Sequence, residues 1–165
     1  MYQTKTVLIM TQEHKELLLR DLCSRLPYGV KVNAPFTSNK NENAKGYKIN
    51  GINFGVVEWT PVLFGEKKQR NSIIIEAFSE KYNQYCSIDI ELDNNIEEVK
   101  PYLFPLSSMT KEQRKEFDTT LKYLPAEEID VWTLDTYDWC NKNNFDYRGL
   151  IPMGLATDAT GLNIY

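Results

Sequence analysis

The apolar residues of this chain change their spacing twice, and that change limits the folds open to it. Before residue 27, Leu18, Leu22 and Leu26 recur every four residues, with Leu19 and Cys23 widening the stripe. A helix with one buried face has this period. From residue 30 to residue 92 the period falls to two. Val30 and Val32 alternate with Lys31 and Asn33, and Cys86, Ile88, Ile90 and Leu92 share one side of a strand. Beyond residue 110 the helical period returns, with Phe117, Leu121 and Leu124 on one face. Strands clustered between helices define an α+β protein rather than an alternating α/β one. The expected architecture is an N-terminal helix, then a curled antiparallel sheet or small SH3-like barrel of four to six strands. Two C-terminal helices and an irregular tail, residues 145–165, complete it.

Punctuating residues sharpen this outline. Thr11 caps the first helix, Glu13 and Glu16 favour its positive end, and Pro27 and Gly29 stop it near Leu26. Residues 36–46 read as a polar loop. Asn50-Gly51, flanked by Tyr47-Lys48-Ile49 and Ile52-Asn53-Phe54, predicts a type I′ hairpin turn, with the next strand running to Trp59. Residues 66–71 read as a charged turn. The run 72–78 and the alternating run 85–92 form a second hairpin through Tyr82-Asn83. Pro101 and Pro105 hold the residues between them extended. Thr110 and Gln113 make a capping box for a helix that Pro125 stops, and Thr133 caps a last helix. That helix ends near Asn143-Asn144, which suits a left-handed C-cap.

The chain of 165 residues is the size of one domain, residues 1–165. It can bury roughly 70% of its unfolded surface, so its stability requires neither disulfides nor metals. Cys23, Cys86 and Cys140 are odd in number and widely spaced, without a CxxC pair. They read as reduced, buried thiols in a cytoplasmic protein without a cofactor. No apolar run approaches the roughly 18 residues of a membrane span, and residues 7–10 are too short a core for a signal peptide. The net charge of −4 is uneven: residues 1–70 carry 11 Lys and Arg against 6 Asp and Glu, residues 71–138 carry 6 against 15. The basic part is too mild for a nucleic-acid-binding domain.

The chemistry is narrowly bounded. A single histidine, His14, excludes paired-histidine zinc sites, and neither a GxSxG nor a phosphate-cradling glycine motif occurs. Asp89 and Glu91 share the polar face of a strand, and Asp135 and Asp138 fall in the first turns of a helix, where solvation and the helix dipole account for them. The segment Phe145-Asp146-Tyr147-Arg148-Gly149 joins a carboxylate, a phenol and a guanidinium outside regular structure. Arg148 offers a planar fork for phosphate, and Tyr147 offers a ring face. The competing reading is an internal Asp146–Arg148 pair that fastens the tail. Tyr102, between two prolines and after Lys100, is a second candidate position for a ligand.

Three stretches carry a resemblance: residues 17–30 (LLLRDLCSRLPYGV), 99–110 (VKPYLFPLSSMT), and the last helix into FDYRGLI at 145–151. They resemble an uncharacterised protein family of phages, prophages and mobile elements of gut Bacteroidetes. The family often carries two histidines where this chain has Asn143 and Asn144, so family-wide chemistry cannot depend on them. The resemblance implies a phage or prophage origin and the cytoplasm of an infected or lysogenic bacterial host. The expected function is a non-catalytic accessory binding protein. By analogy with such genomes, it would antagonise host defence by sequestering a phosphate-bearing small molecule, such as a nucleotide signal. Arg148, Tyr147, Asp146, Tyr102 and Lys100 would hold it. A second reading is inhibition of a host protein through the acidic residues 76–98, and a third is a carboxylate-dependent enzyme.

Overall fold

The computed structural model describes residues 11–33, 47–59, 68–79, 84–91, 99–124 and 129–165; within 47–59, 68–79 and 84–91 the description is essentially of the backbone. Helix α1 (Gln12–Arg25) opens at Thr11, whose hydroxyl accepts the His14 amide at 3.2 Å. Its buried face consists of Leu18, Asp21, Leu22 and Arg25. The expected stripe was partly misplaced: Cys23 is exposed, and an ion pair occupies the face it was expected to share. A short 3-10 turn, Leu26–Tyr28, ends at Gly29, whose φ of 71° lies in the left-handed region that glycine enters without strain.

Strands β1 (Lys31–Asn33), β2 (Tyr47–Trp59), β3 (Lys68–Ser79), β4 (Gln84–Glu91) and β5 (Lys100–Pro105) form an antiparallel series in the order β4-β3-β2-β1-β5. Two short strands of the tail, β8 (Phe145–Asp146) and β9 (Thr157–Asp158), pair with β5 in parallel, giving a seven-stranded mixed sheet. The path among these strands is open, so the fold is a sheet and not a closed barrel. The β3–β4 hairpin agrees with the sequence reading. The Asn50-Gly51 turn does not. β2 runs straight through it, and the pairing passes from Ile49 opposite Ala77 to Gly51 opposite Glu76, leaving Asn50 as the extra residue of a bulge. Bulges and tight turns favour the same permissive residues, and the long ladder with β3 decides between them. The charged run at 66–71 is likewise not all turn, because β3 begins at Lys68. The loop at 36–46, Tyr82-Asn83 and Pro125 lie outside the described residues.

Helix α2 (Lys111–Thr120) carries the expected capping box: Gln113 N donates to Thr110 Oγ1 at 3.1 Å, and Gln113 Oε1 accepts the Thr110 amide at 2.9 Å. It ends earlier than its periodicity suggests. Leu121 is extended, and Leu124 belongs to β6 (Lys122–Leu124), which pairs with β7 (Ile129–Val131). The cause is visible at Thr120, whose carbonyl accepts the hydroxyls of Thr133 and Thr136 at 2.9 and 2.8 Å. These bonds satisfy an end carbonyl of α2 from the start of α3 (Leu134–Lys142). Helix α3 closes at Asn143, followed by Asn144 with φ 57°.

The described core has two apolar clusters. Leu103 packs with Leu150, Leu155 and Ala156, with Leu17 of α1 against them. Its neighbour Phe104 packs with Phe117, Cys140 and Phe145. Successive residues of a strand face opposite sides, so β5 separates the two clusters. Each fully buried Leu or Phe contributes about 1.5–3 kcal/mol. Within the second cluster Trp139 and Phe145 stack at 5.4 Å with planes 5° apart. Among the described residues no helix is long and apolar enough to cross a membrane.

Candidate functional site

The tail loop between β8 and β9 meets α1 at a buried carboxylate. Asp21 and Arg25 lie four residues apart on α1, so both face the same way, and neither side chain is exposed. Arg25 Nε donates to Asp21 Oδ2 at 2.7 Å and Nη2 donates to Oδ1 at 3.1 Å, a bidentate fork. The rest of the guanidinium is also engaged: Nη1 donates to the Cys140 carbonyl at 3.3 Å and Nη2 to the Phe145 carbonyl at 2.8 Å. Arg25 thus ties α1 to the end of α3 and to β8. Ser24 adds a contact of 3.4 Å to Asn141 Oδ1. Beside it, burial pushes the Cys140 thiol up to about 11, with the nearby Arg25 charge opposing.

The loop itself is shaped by Asp146. Its two oxygens accept the amides of Leu150 and Ile151, each at 2.8 Å. Gly149 makes this possible with φ 75°, turning the chain so that both amides point back. Arg148 therefore projects from a fixed loop. Its Nε lies 3.3 Å from Asp21 Oδ1, at ion-pair distance, and its Cζ lies 4.7 Å from the centre of the Tyr147 ring. Among the described residues this buried Nε has no hydrogen-bond acceptor, while the side chain stays 22% exposed. Asp21 Oδ1 also accepts Arg25 Nη2, and Arg148 Nε lies close to it without hydrogen-bond alignment. One carboxylate thus faces two guanidiniums.

Tyr147 also lies 5.5 Å from Arg25 Cζ, so its ring contacts both cations. It also touches Tyr137 (5.3 Å between ring centres) and Trp132 (6.1 Å), which touch one another at 5.3 Å. Tyr137 is 41% exposed, so this triangle reaches the surface.

The candidates read from sequence thus separate. Arg148 and Tyr147 come together. Asp146 has both oxygens committed to the backbone and holds the loop, and the suggested Asp146–Arg148 pair is replaced by Arg148–Asp21. Tyr102 is buried at 2% exposure, where desolvation raises its phenol, and Lys100 lies opposite Asn33 at the start of β5. Among the described residues no hydrogen bond, ion pair or ring contact joins either to Arg148. The side chains of the acidic stretch 76–98 lie outside the described residues. Sequence reasoning missed Asp21, Arg25, Trp132 and Tyr137. The four-residue spacing of Asp21 and Arg25 was the available signal for the first two; nothing local marks the others. Tyr165 also reaches this region. Its hydroxyl donates to the Tyr102 carbonyl at 2.8 Å and accepts the Lys31 amide at 3.2 Å, and burial pushes it up to about 12. No family model, curated protein or solved structure matches this chain significantly.

Proposed function

We propose that the protein is a non-catalytic binding module that holds a phosphate-bearing small molecule at Arg148. The observation that carries the reading is Arg148, a second guanidinium on the Asp21 carboxylate that Arg25 already holds. The same guanidinium is held in place by Tyr147 and remains open to solvent on part of its surface. An anionic ligand would meet the exposed part of the guanidinium and balance the second cation on Asp21. Phosphate suits the planar fork. In the setting that the family resemblance implies, holding such a molecule in the cytoplasm of a bacterial host without turning it over would blunt a defence that signals with it.

The test is to purify the chain from a bacterial host and identify small molecules released by heat with mass spectrometry. A phosphate-bearing compound should accompany the parent protein. It should be depleted in Arg148→Lys, where a point charge replaces the fork, and absent in Arg148→Ala. Equal recovery from the parent and Arg148→Ala would overturn the reading.

A further inference from the structure

The tail beyond β9 reaches into a strand ladder. β1 and β5 pair at Asn33 opposite Lys100 and at Val32 opposite Pro101, so the next step of that register would set Lys31 opposite Tyr102. In a closed antiparallel ladder, alternate facing residues bond amide to carbonyl directly. Here the Tyr165 hydroxyl stands between the two groups. It accepts the Lys31 amide at 3.2 Å and donates to the Tyr102 carbonyl at 2.8 Å. We propose that residues 159–165 are a releasable strap, which holds the β1–β5 junction apart through Tyr165 and opens without unfolding the two apolar clusters.

The root of the strap is firm. Ala159 is buried, and its amide donates to the Leu103 carbonyl at 2.8 Å, beside the pairing of β9 with β5. The middle is not. Every residue from Thr160 to Asn163 is exposed, and the Leu162 amide turns back to the Ala159 carbonyl at 3.1 Å. Asn163 has φ 48°, a left-handed backbone that residues other than glycine adopt at some cost. At the far end the Ile164 carbonyl accepts Lys31 Nζ at 2.8 Å, and the Tyr165 ring lies 5.8 Å from the Phe104 ring and 5.9 Å from the Lys31 ammonium. Beyond Ala159, the hydrogen bonds and ring contacts that tie the strap to β1 and β5 run to Lys31, Tyr102 and Phe104.

The strands have an alternative to the strap. When Tyr165 leaves, the Lys31 amide and the Tyr102 carbonyl can bond to each other or to water. Neither is then stranded without a partner, which is the condition that makes a lost bond expensive. The apolar clusters keep their own contacts, with Leu150, Leu155 and Ala156 on Leu103 and with Phe117, Cys140 and Phe145 on Phe104. The junction matters to the rest of the sheet, because β1 carries β2 on its other edge through Lys31 and Val32. It also lies beside the candidate site, since the charges of Arg25 and Asp21 act on the Tyr165 phenol.

Native-state hydrogen exchange on the full chain tests the strap, read at single amides by NMR in rising low concentrations of urea. A segment that opens locally exposes little surface, so its exchange is fast and nearly independent of urea. Amides freed only by global unfolding are slow and steeply dependent on it. The Lys31 and Leu162 amides should exchange about a hundredfold or more faster than the Phe104 and Leu155 amides, which bond to the Asn144 and Leu150 carbonyls. Tyr165→Phe keeps the ring and removes the hydroxyl, and it should speed Lys31 exchange by about tenfold. If Lys31 exchanges as slowly as Phe104 and Leu155, with the same dependence on urea, the strap leaves only when the whole chain unfolds, and the proposal is overturned. If Lys31 exchanges fast but ignores Tyr165→Phe, β1 opens by a route that does not pass through the hydroxyl, and the proposal is overturned as well.

Discussion

Two arginines approach the same carboxylate, and they are not alike. Arg25 reaches Asp21 from one helical turn away, with each nitrogen of its guanidinium bonded to an oxygen and no exposure to solvent. Arg148 reaches Asp21 from the tail loop, with a buried nitrogen that meets no acceptor and an outer part in contact with solvent. The first geometry is that of a fastener, because four of its five N–H donors are bonded to oxygens of the chain. The second leaves hydrogen-bonding capacity over. The shared carboxylate shows why residue type alone does not identify a site: what distinguishes the two arginines is which donors the fold has already satisfied.

The largest effect should follow removal of the shared partner. Asp21→Ala strands Arg25 in a buried position with a positive charge and two carbonyls. Breaking a buried pair in this way costs about 3–5 kcal/mol, so urea unfolding should show a loss of that order. A loss below about 1 kcal/mol would mean that Asp21 is not the anchor of this region, and the contrast between the arginines would collapse.

The next effect belongs to the loop that carries Arg148. Asp146→Ala removes two charge-assisted bonds to the Leu150 and Ile151 amides. Each such bond contributes about 1.5–3 kcal/mol, and the loop relaxes in part, so a loss of about 2 kcal/mol is expected in the same assay. Ligand recovery should fall as well, because Arg148 would no longer be held. If stability falls while ligand recovery does not, the loop's shape is irrelevant to binding.

The two arginines also show how far the sequence could be read. Features governed by neighbours in the chain were legible: the Thr11, Thr110 and Thr133 caps, the β3–β4 hairpin and the left-handed residue at Asn144 all depend on a few adjacent residues. Features decided by distant partners were not. Asn50-Gly51 has the local chemistry of a turn, yet pairing with β3 makes it a bulge. Leu121 and Leu124 continue a helical period, yet Thr133 and Thr136 close α2 at Thr120. Of the candidate site, the adjacency of Arg148 and Tyr147 was legible because they stand together in a loop. Asp21 lies 127 positions earlier in the chain, and its approach to Arg148 required the fold to be known.

Alkaline pH gives a smaller effect at the edge of the same region. The Tyr165 phenol is raised from 10.0 to about 12 by burial. Below pH 10 both folded and unfolded chains keep this proton, and it contributes no pH dependence. Between 10 and 12 the unfolded chain loses it first, so stability falls as pH rises through that window. Tyr165→Phe removes the titrating group, along with its bonds to Tyr102 and Lys31. That variant should begin less stable at pH 8 and lose stability less steeply above pH 10. Parallel slopes for the two proteins would show that the hydroxyl is not buried in solution.

The smallest change in stability is expected for Arg148 itself, and it bears most directly on the contrast. Arg148→Gln removes the second cation from Asp21 but leaves the Arg25 fork complete. The lost attraction is that of a partly exposed ion pair without hydrogen-bond alignment, which contributes between zero and about 1 kcal/mol. Removing a buried donor that has no acceptor offsets part of that loss. The unfolding midpoint should therefore move little in either direction. A loss comparable to that of Asp21→Ala would make Arg148 a second fastener, with its donors used by the fold after all, and the site would have no capacity left for a ligand. A near-neutral midpoint with loss of the released phosphate compound would separate the two arginines by function, since only one of them could then be exchanged without cost to the fold.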